Sequence, residues 1–162
     1  MNDATFEDGA EKPLRLKALD VDDLSVIAGF VQDAVFPASE IKWDRKTRRF
    51  AILLNRFRWE DAARAETRAR DYERVQSVLL IEDAVKVQSQ GVPSLGNATD
   101  SDTVFSLLTL AFQASDDGSG FIELTLAGDG AIRVQVEALE IVLKDVTRPY
   151  TAPSKSKPSH PA

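Results

Sequence analysis

Between residues 40 and 136, short β-prone runs alternate with polar turns, and this pattern constrains the fold more than any other feature. Phe50, Ile52 and Leu54 alternate with less apolar neighbours, which is the period of a strand with one buried face. Segments 116–120 and 128–130 are rich in Gly and Asp and mark turns. The pattern predicts seven strands, at residues 40–44, 49–57, 74–82, 84–90, 104–114, 121–127 and 131–136. The weak turn at Glu82 and Asp83 also allows 74–82 and 84–90 to form one long bent strand.

A strand and a helix are predicted ahead of this region. Residues 14–19 alternate apolar and charged side chains. Asp20 then has the position of an N-cap, and Asp23 lies three residues on, where the exposed amides and dipole of a first turn favour a carboxylate. An apolar stripe at helical spacing predicts a helix to about residue 34, and comprises Leu24, Ile27, Ala28, Val31 and Ala34.

Two segments have ambiguous patterns. Residues 60–72 are rich in Ala, Arg and Glu without an apolar stripe, so a polar helix and a loop are equally compatible with them. Residues 138–146 fit both a helix and a strand, and we favour a bulged continuation of the last strand.

This order of elements predicts an α+β fold. We expect a mainly antiparallel, curled sheet or open barrel of seven to eight strands, with one N-terminal helix packed on it. A pleckstrin-homology-like barrel is the alternative if residues 138–146 are helical.

Composition predicts a single domain at residues 13–148. Residues 1–12 lack periodicity, and residues 149–162 are rich in Pro, Ser and Lys, so both ends are predicted to be disordered tails. The acidic N-terminus does not resemble a secretory signal, and no run approaches the roughly 18 apolar residues of a membrane span. We therefore expect a cytoplasmic protein without membrane association.

Catalytic and metal-binding side chains are scarce. The chain has no cysteine, and its one histidine is His160 in the predicted tail, which excludes thiol chemistry and disfavours histidine-based catalysis. Carboxylates are numerous, but their positions suit the helix start and the turns, and no calcium loop or phosphate-binding glycine motif is present. We predict no catalytic residue, metal or cofactor, and an enzyme is the least favoured function.

Charge is distributed unevenly along the chain. Residues 42–74 carry eleven Lys or Arg against six Asp or Glu, a net charge of +5, whereas the whole chain has −6. Four of the cations crowd one predicted turn: Arg45, Lys46, Arg48 and Arg49. A basic hairpin with aromatic neighbours can bind an acidic partner or a phosphate backbone, but it also suits a solvated strand edge.

Residues 55–60 form an unusual end to an apolar strand. Arg56, Arg58 and Trp59 can form a structural clamp there, in which an arginine stacks on Trp59 or pairs with Glu60. They can alternatively form the rim of an anion site.

The sequence resembles domain-of-unknown-function family 2948. The similarity covers residues 14–146 and is most specific in Asn-Arg-Phe-x-Trp-Glu, residues 55–60. It implies a small, single-domain, cytoplasmic bacterial protein and supplies no catalytic residue. Gln88 and Gln90 stand where the family pattern leads us to expect arginines. The other segments that carry the resemblance are 16–20, 32–34, 48–54, 85–91 and 130–136.

The functional hypothesis is a protein-binding or scaffolding domain that uses the basic hairpin surface of residues 42–74. The partner is an unknown protein or a second copy of the chain. Weak binding of nucleic acid or of an anionic ligand by the same residues is the alternative, although the acidity of the chain disfavours nonspecific nucleic-acid binding.

Overall fold

Eleven β-strands and two short α-helices form the fold. The structure is a computed structural model that describes residues 12–68, 71–92 and 103–151. Single 3-10 turns lie at Ala38–Glu40 and Trp59–Asp61. In chain order the elements are β1 (Arg15–Ala18), α1 (Val21–Phe30), β2 (Val35–Pro37), β3 (Ile41–Asp44), β4 (Arg49–Phe57), α2 (Ala62–Thr67), β5 (Glu73–Ile81), β6 (Ala84–Gln90), β7 (Val104–Ala114), β8 (Gly120–Leu126), β9 (Gly130–Val136), β10 (Ile141–Asp145) and β11 (Tyr150–Thr151).

The strands form one open, antiparallel sheet in the order β1-β10-β5-β4-β2-β7-β8-β9-β6. In addition, β3 pairs with β4, and β11 pairs with β5. The mainly antiparallel α+β architecture is therefore confirmed. The predicted count of seven to eight strands and one helix was wrong, since the described residues form eleven strands and two α-helices. The extra strands β2 and β11 have only three and two residues, too few for a period to be visible in the sequence.

Residues 138–146 contain a separate strand rather than a helix or a continuation of β9. β10 pairs with β1 on one side and β5 on the other. Ile141 and Leu143 are fully buried there, whereas Val146, which a helix would have added to the buried stripe, is 47% exposed. The condition for the pleckstrin-homology-like alternative is therefore not met.

Helix α1 begins as predicted and ends earlier. The Asp20 carboxylate caps it by accepting a hydrogen bond from the Asp23 amide at 2.8 Å. The helix ends at Phe30, and Asp33 has a left-handed backbone with φ 63°. Val31 and Ala34 are nevertheless buried. The apolar stripe thus marks the core correctly beyond the point where the helix stops.

Replacing Asp20 by alanine should lower the free energy of unfolding by about 1 kcal/mol, because the Asp23 amide loses its acceptor. Urea denaturation measures this change. The matched control is Asp22→Ala, since Asp22 lies in the same turn without forming the cap. Equal losses in the two variants would contradict the capping role.

The segment after β4 is helical in part. Trp59–Asp61 forms a 3-10 turn that leads into α2, and Ala62 and Ala65 are buried by it. Small side chains at these two positions provide the contact face that a search for large apolar residues overlooks. Residues 69 and 70 lie outside the described part of the chain.

Alternate residues of the central strands fill the core. Phe50, Ile52 and Leu54 of β4 are fully buried, as are Leu79 and Ile81 of the paired strand β5. Each such side chain contributes about 1.5–3 kcal/mol by its removal from water. Helix α1 packs against β1 and β7 and covers one side of this core.

The C-terminal boundary lies beyond the predicted one. Tyr150 and Thr151, which we assigned to a disordered tail, pair with Arg74 and Glu73 of β5, and the Asn55 amide donates a hydrogen bond to the Tyr150 hydroxyl. The tails at residues 1–11 and 152–162 lie outside the described residues. No helix among the described residues is long and apolar enough to cross a membrane.

Candidate binding groove at the hairpin tip

The four clustered cations lie at the tip of the β3–β4 hairpin. Asp44 and Arg49 are its last paired residues, and residues 45–48 form the turn. The Asp44 carboxylate accepts hydrogen bonds from the Lys46 and Thr47 amides at 3.0 and 3.4 Å. Hydrogen bonds from the Thr47 side chain and backbone lower the pKa of Asp44. This carboxylate is thus ionised at neutral pH and is engaged within the turn.

A groove of about 450 Å³ separates this tip from the start of β6. Among the described residues, its lining contains three cations and no carboxylate. Trp43 and Val87, both half-buried and packed on the core, supply apolar surface together with the more exposed Val85. The full lining is Trp43, Arg45, Arg48, Ala84, Val85, Lys86 and Val87.

One backbone hydrogen bond joins the hairpin tip to the start of β6, and a second joins the β5–β6 turn to the residue after β9. The Ala84 amide donates to the Arg48 carbonyl at 2.9 Å, and the Glu137 amide donates to the Asp83 carbonyl at 3.1 Å. The register between β6 and β9 then shifts between Ala84 and Lys86. Such a bulge re-aims side chains at a sheet edge, and here Lys86 lines the groove beside the hairpin cations.

The cations in and beside the groove differ in how far neighbouring carboxylates neutralise their charge. Arg48 contacts Glu137 at 2.8 Å, but both side chains are more than half exposed, and such surface pairs contribute only about 0–1 kcal/mol. Arg49 pairs with Glu82. Arg45 and Lys86 form no ion pair with any described residue. The groove therefore presents positive charge that is readily available to an incoming anion.

Arg56, Arg58 and Trp59 lie at the other end of β4, not at the groove. Seven residue steps of extended strand lead from Arg49 to Arg56, a distance of about 23 Å. Arg56 is completely buried and Arg58 is 6% exposed. The structure therefore does not bring the seven predicted surface residues together, and we omit these three from the candidate site.

Arg56 is the centre of a buried charge network. Its two terminal nitrogens donate to the Glu60 carboxylate at 2.9 and 2.8 Å, and Nη2 also donates to Asp145 at 3.0 Å. Nε donates to the Ser77 hydroxyl at 3.0 Å. Burial alone would lower the pKa of Arg56, but the hydrogen bonds and charges of Glu60 and Asp145 outweigh it and raise the pKa. The Arg56–Glu60 pair is one of the two contacts that the sequence allowed for a clamp.

Arg58 forms further ion pairs beside this network, and Trp59 contacts the loop after α1. Arg58 Nη1 contacts Glu73 at 2.7 Å and Asp61 at 3.6 Å. The Trp59 indole donates to the Gln32 carbonyl at 3.1 Å, and its ring packs edge-on against Phe57 at 4.6 Å between centroids. These contacts join the exit of β4 to the loop after α1.

A second cavity, of about 570 Å³, lies beside the network. Its floor includes Arg58, Glu73 and Asp145, whose charges are paired within the network. The rim adds Lys12, Thr147 and Arg148. Among the described residues, no group of three or more His, Cys, Asp or Glu has the arrangement of a metal site. This cavity has charges of both signs and lacks the one-sided charge of the hairpin groove.

Sequence reasoning missed the β6 side of the groove. Lys86 follows the hairpin by almost forty residues and lies in an ordinary alternating run, so no local pattern connects it with Arg45. The weak turn at Glu82 and Asp83 was the available signal, because it places the start of β6 next to the end of β5.

The chain belongs to the family described as "Protein of unknown function (DUF2948)", whose model matches residues 14–160. No curated protein and no solved structure matches the chain. The family itself assigns no activity, so the function must be argued from the groove.

Proposed function

We propose that this DUF2948 protein is a binding module that holds an acidic segment of a partner protein in the hairpin groove. One observation carries the proposal: three cations and no carboxylate line a groove on a chain whose net charge is −6. Charge complementarity of this kind steers association and selects partners. The half-buried Trp43 and exposed Val85 add apolar contact surface, as the centres of protein interfaces commonly do.

A protein partner fits these residues better than a nucleic acid does. Single-stranded nucleic acids bind by stacking bases on accessible aromatic rings along a basic track. Every aromatic residue in the described part of the chain is at least partly buried. Trp43, the aromatic residue in the groove lining, is half-buried against the core. The groove supplies three cations on an acidic chain, which gives few phosphate contacts.

Charge reversal tests the proposal. In the double variant Arg45→Glu/Lys86→Glu, we expect affinity for the acidic partner to fall at least tenfold, because two attractive contacts become repulsive. Quantitative affinity capture from cell extract compares the wild type with this variant. The same capture at raised salt should also recover less partner.

The matched control is Arg15→Glu/Lys144→Glu, which changes net charge equally at exposed positions on β1 and β10. It should retain the partner. Capture lost equally in both double variants, or no acidic protein captured by the wild type, would contradict the proposal. Tight, salt-sensitive binding of a mixed-sequence single-stranded RNA that requires Arg45 would assign the groove to nucleic acid instead.

A further inference from the structure

The hairpin groove lies along a strand edge that the sheet leaves open. β6 is the last strand of the sheet order and pairs only with β9 within the described residues. On the other side of the groove, β3 pairs only with β4 in the same part of the chain. Beyond Ala84, whose amide is bonded to the Arg48 carbonyl, such an edge presents a row of unpaired amides and carbonyls, which is a template for another strand.

Most side chains of β6 are exposed to solvent, so that another strand can approach it. Of its seven residues, Ala84 is buried and Val87 is half-buried, while the others are exposed. This differs from β8 and β9, in which buried residues alternate with half-buried ones throughout. The chain of an incoming strand can thus approach β6 without displacing an existing element among the described residues.

We infer that the acidic partner segment binds in extended form, by adding a strand to the open edge of β6. This inference rests on the proposed function and deepens it by naming the backbone geometry of the partner. Main-chain hydrogen bonds to the edge supply affinity in this binding mode, and pockets for alternate side chains supply specificity.

The charges around the edge select an acidic strand. The Lys86 ammonium on β6 opposes pairing with basic chains, since a charge on an edge strand is one device by which sheets avoid edge-to-edge association. Arg45 and Arg48 lie across the groove and favour carboxylates. The edge therefore favours a strand of negative charge over a basic one.

The geometry also specifies the pattern of the partner segment. Side chains of a strand alternate between its faces, so that residues i and i+2 share a face about 6.6 Å apart. An acidic residue at every second position places its carboxylates on one side. We therefore expect Asp or Glu at i and i+2, with β-branched residues between them that contact the half-buried Val87.

A displayed library of random 12-residue peptides tests this inference with the full-length protein. Peptides retained by the wild type and lost with Arg45→Glu/Lys86→Glu should be enriched in alternating acidic residues. The best of them is then synthesised in two forms, with N-methyl groups on alternate amides of either parity. One parity should weaken binding at least tenfold, because it removes hydrogen bonds to β6, while the other should change it by less than threefold.

The outcomes separate the two claims. Acidic peptides whose affinity is unchanged by either N-methylation pattern would overturn strand addition and leave the acidic-partner function standing. If no peptide is enriched, or if the enriched ones bind the groove variant equally well, both claims fail. Analytical ultracentrifugation of the protein alone measures whether it is a dimer. A wild-type dimer that becomes monomeric in the Arg45→Glu/Lys86→Glu variant would assign the edge to a second copy of the chain and overturn the inference.

Discussion

Replacing Arg56 by methionine should lower the free energy of unfolding by about 3–5 kcal/mol, because it removes one partner of a buried ion pair. The Asp145 side chain is only 6% exposed and would remain in the interior without its cation. Ser77 would lose a charged partner in the same place. Glu60 is less affected, since its side chain is 27% exposed and water can replace the guanidinium. Urea denaturation monitored by circular dichroism measures the loss.

Two comparisons make this prediction specific to the buried charge. Lys17→Met breaks the exposed pair with Glu140 and should cost no more than about 1 kcal/mol. The double variant Arg56→Met/Asp145→Leu removes both charges and should be more stable than Arg56→Met alone. A double variant whose losses simply add would show that the network contributes packing rather than compensated charge.

Replacing Gly120 by alanine should destabilise the protein by about 1–3 kcal/mol through overpacking. A Cβ at this position would lie 2.3 Å from the Gln113 carbonyl oxygen and 2.8 Å from the ring of Phe112. The carbonyl belongs to the backbone of the paired strand β7, so it cannot move without disturbing the β7–β8 register. The urea midpoint should fall accordingly.

The control for Gly120 is Gly29→Ala. A Cβ at Gly29 meets nothing within 4 Å, and the residue lies in α1. Alanine there should stabilise the protein by about 0.5–1 kcal/mol, because it restricts the unfolded chain and favours the helix. Opposite signs for the two substitutions would confirm the close approach at Gly120, and a neutral Gly120→Ala would disprove it.

Period-two patterns made most of the sheet predictable, because each long strand buries one face. These patterns failed where a strand is too short to show a period of two residues. β2 and β11 are such strands, and they form because they pair with strands distant in the sequence. The position of β10 in the sheet also could not be predicted from the sequence. Ile141 and Leu143 signal a strand, but only the pairing with β1 and β5 shows that it is not an extension of β9.

The sequence contains further signals of the charge network, beyond the Arg56–Glu60 pair that the clamp hypothesis allowed. Arg56 follows Phe50, Ile52 and Leu54 at the next inward position of β4. Ser77 and Asp145 occupy equivalent inward positions on β5 and β10, each among buried apolar residues. Polar residues at inward positions of three strands predict a buried network, and the pairing of the strands brings them together.

The net charge of +5 for residues 42–74 misled us about the extent of the basic surface. Summing along the chain treats Arg56 and Arg58 as equal to Arg45, although the first two are buried beside carboxylates. Conversely, Lys86 lies outside the segment but lines the groove with Arg45. Local charge therefore indicated the hairpin tip, while the composition of the groove depends on the sheet topology.

The backbone of Arg48 has a consequence for protein engineering. Its φ of 57° lies in the left-handed region, which costs a residue with a Cβ about 1–2 kcal/mol relative to glycine. Selection of variants for thermal stability alone should therefore favour Arg48→Gly, which removes a cation from the groove. Variants with Arg48→Gly would then gain stability while losing one cation of the proposed binding groove.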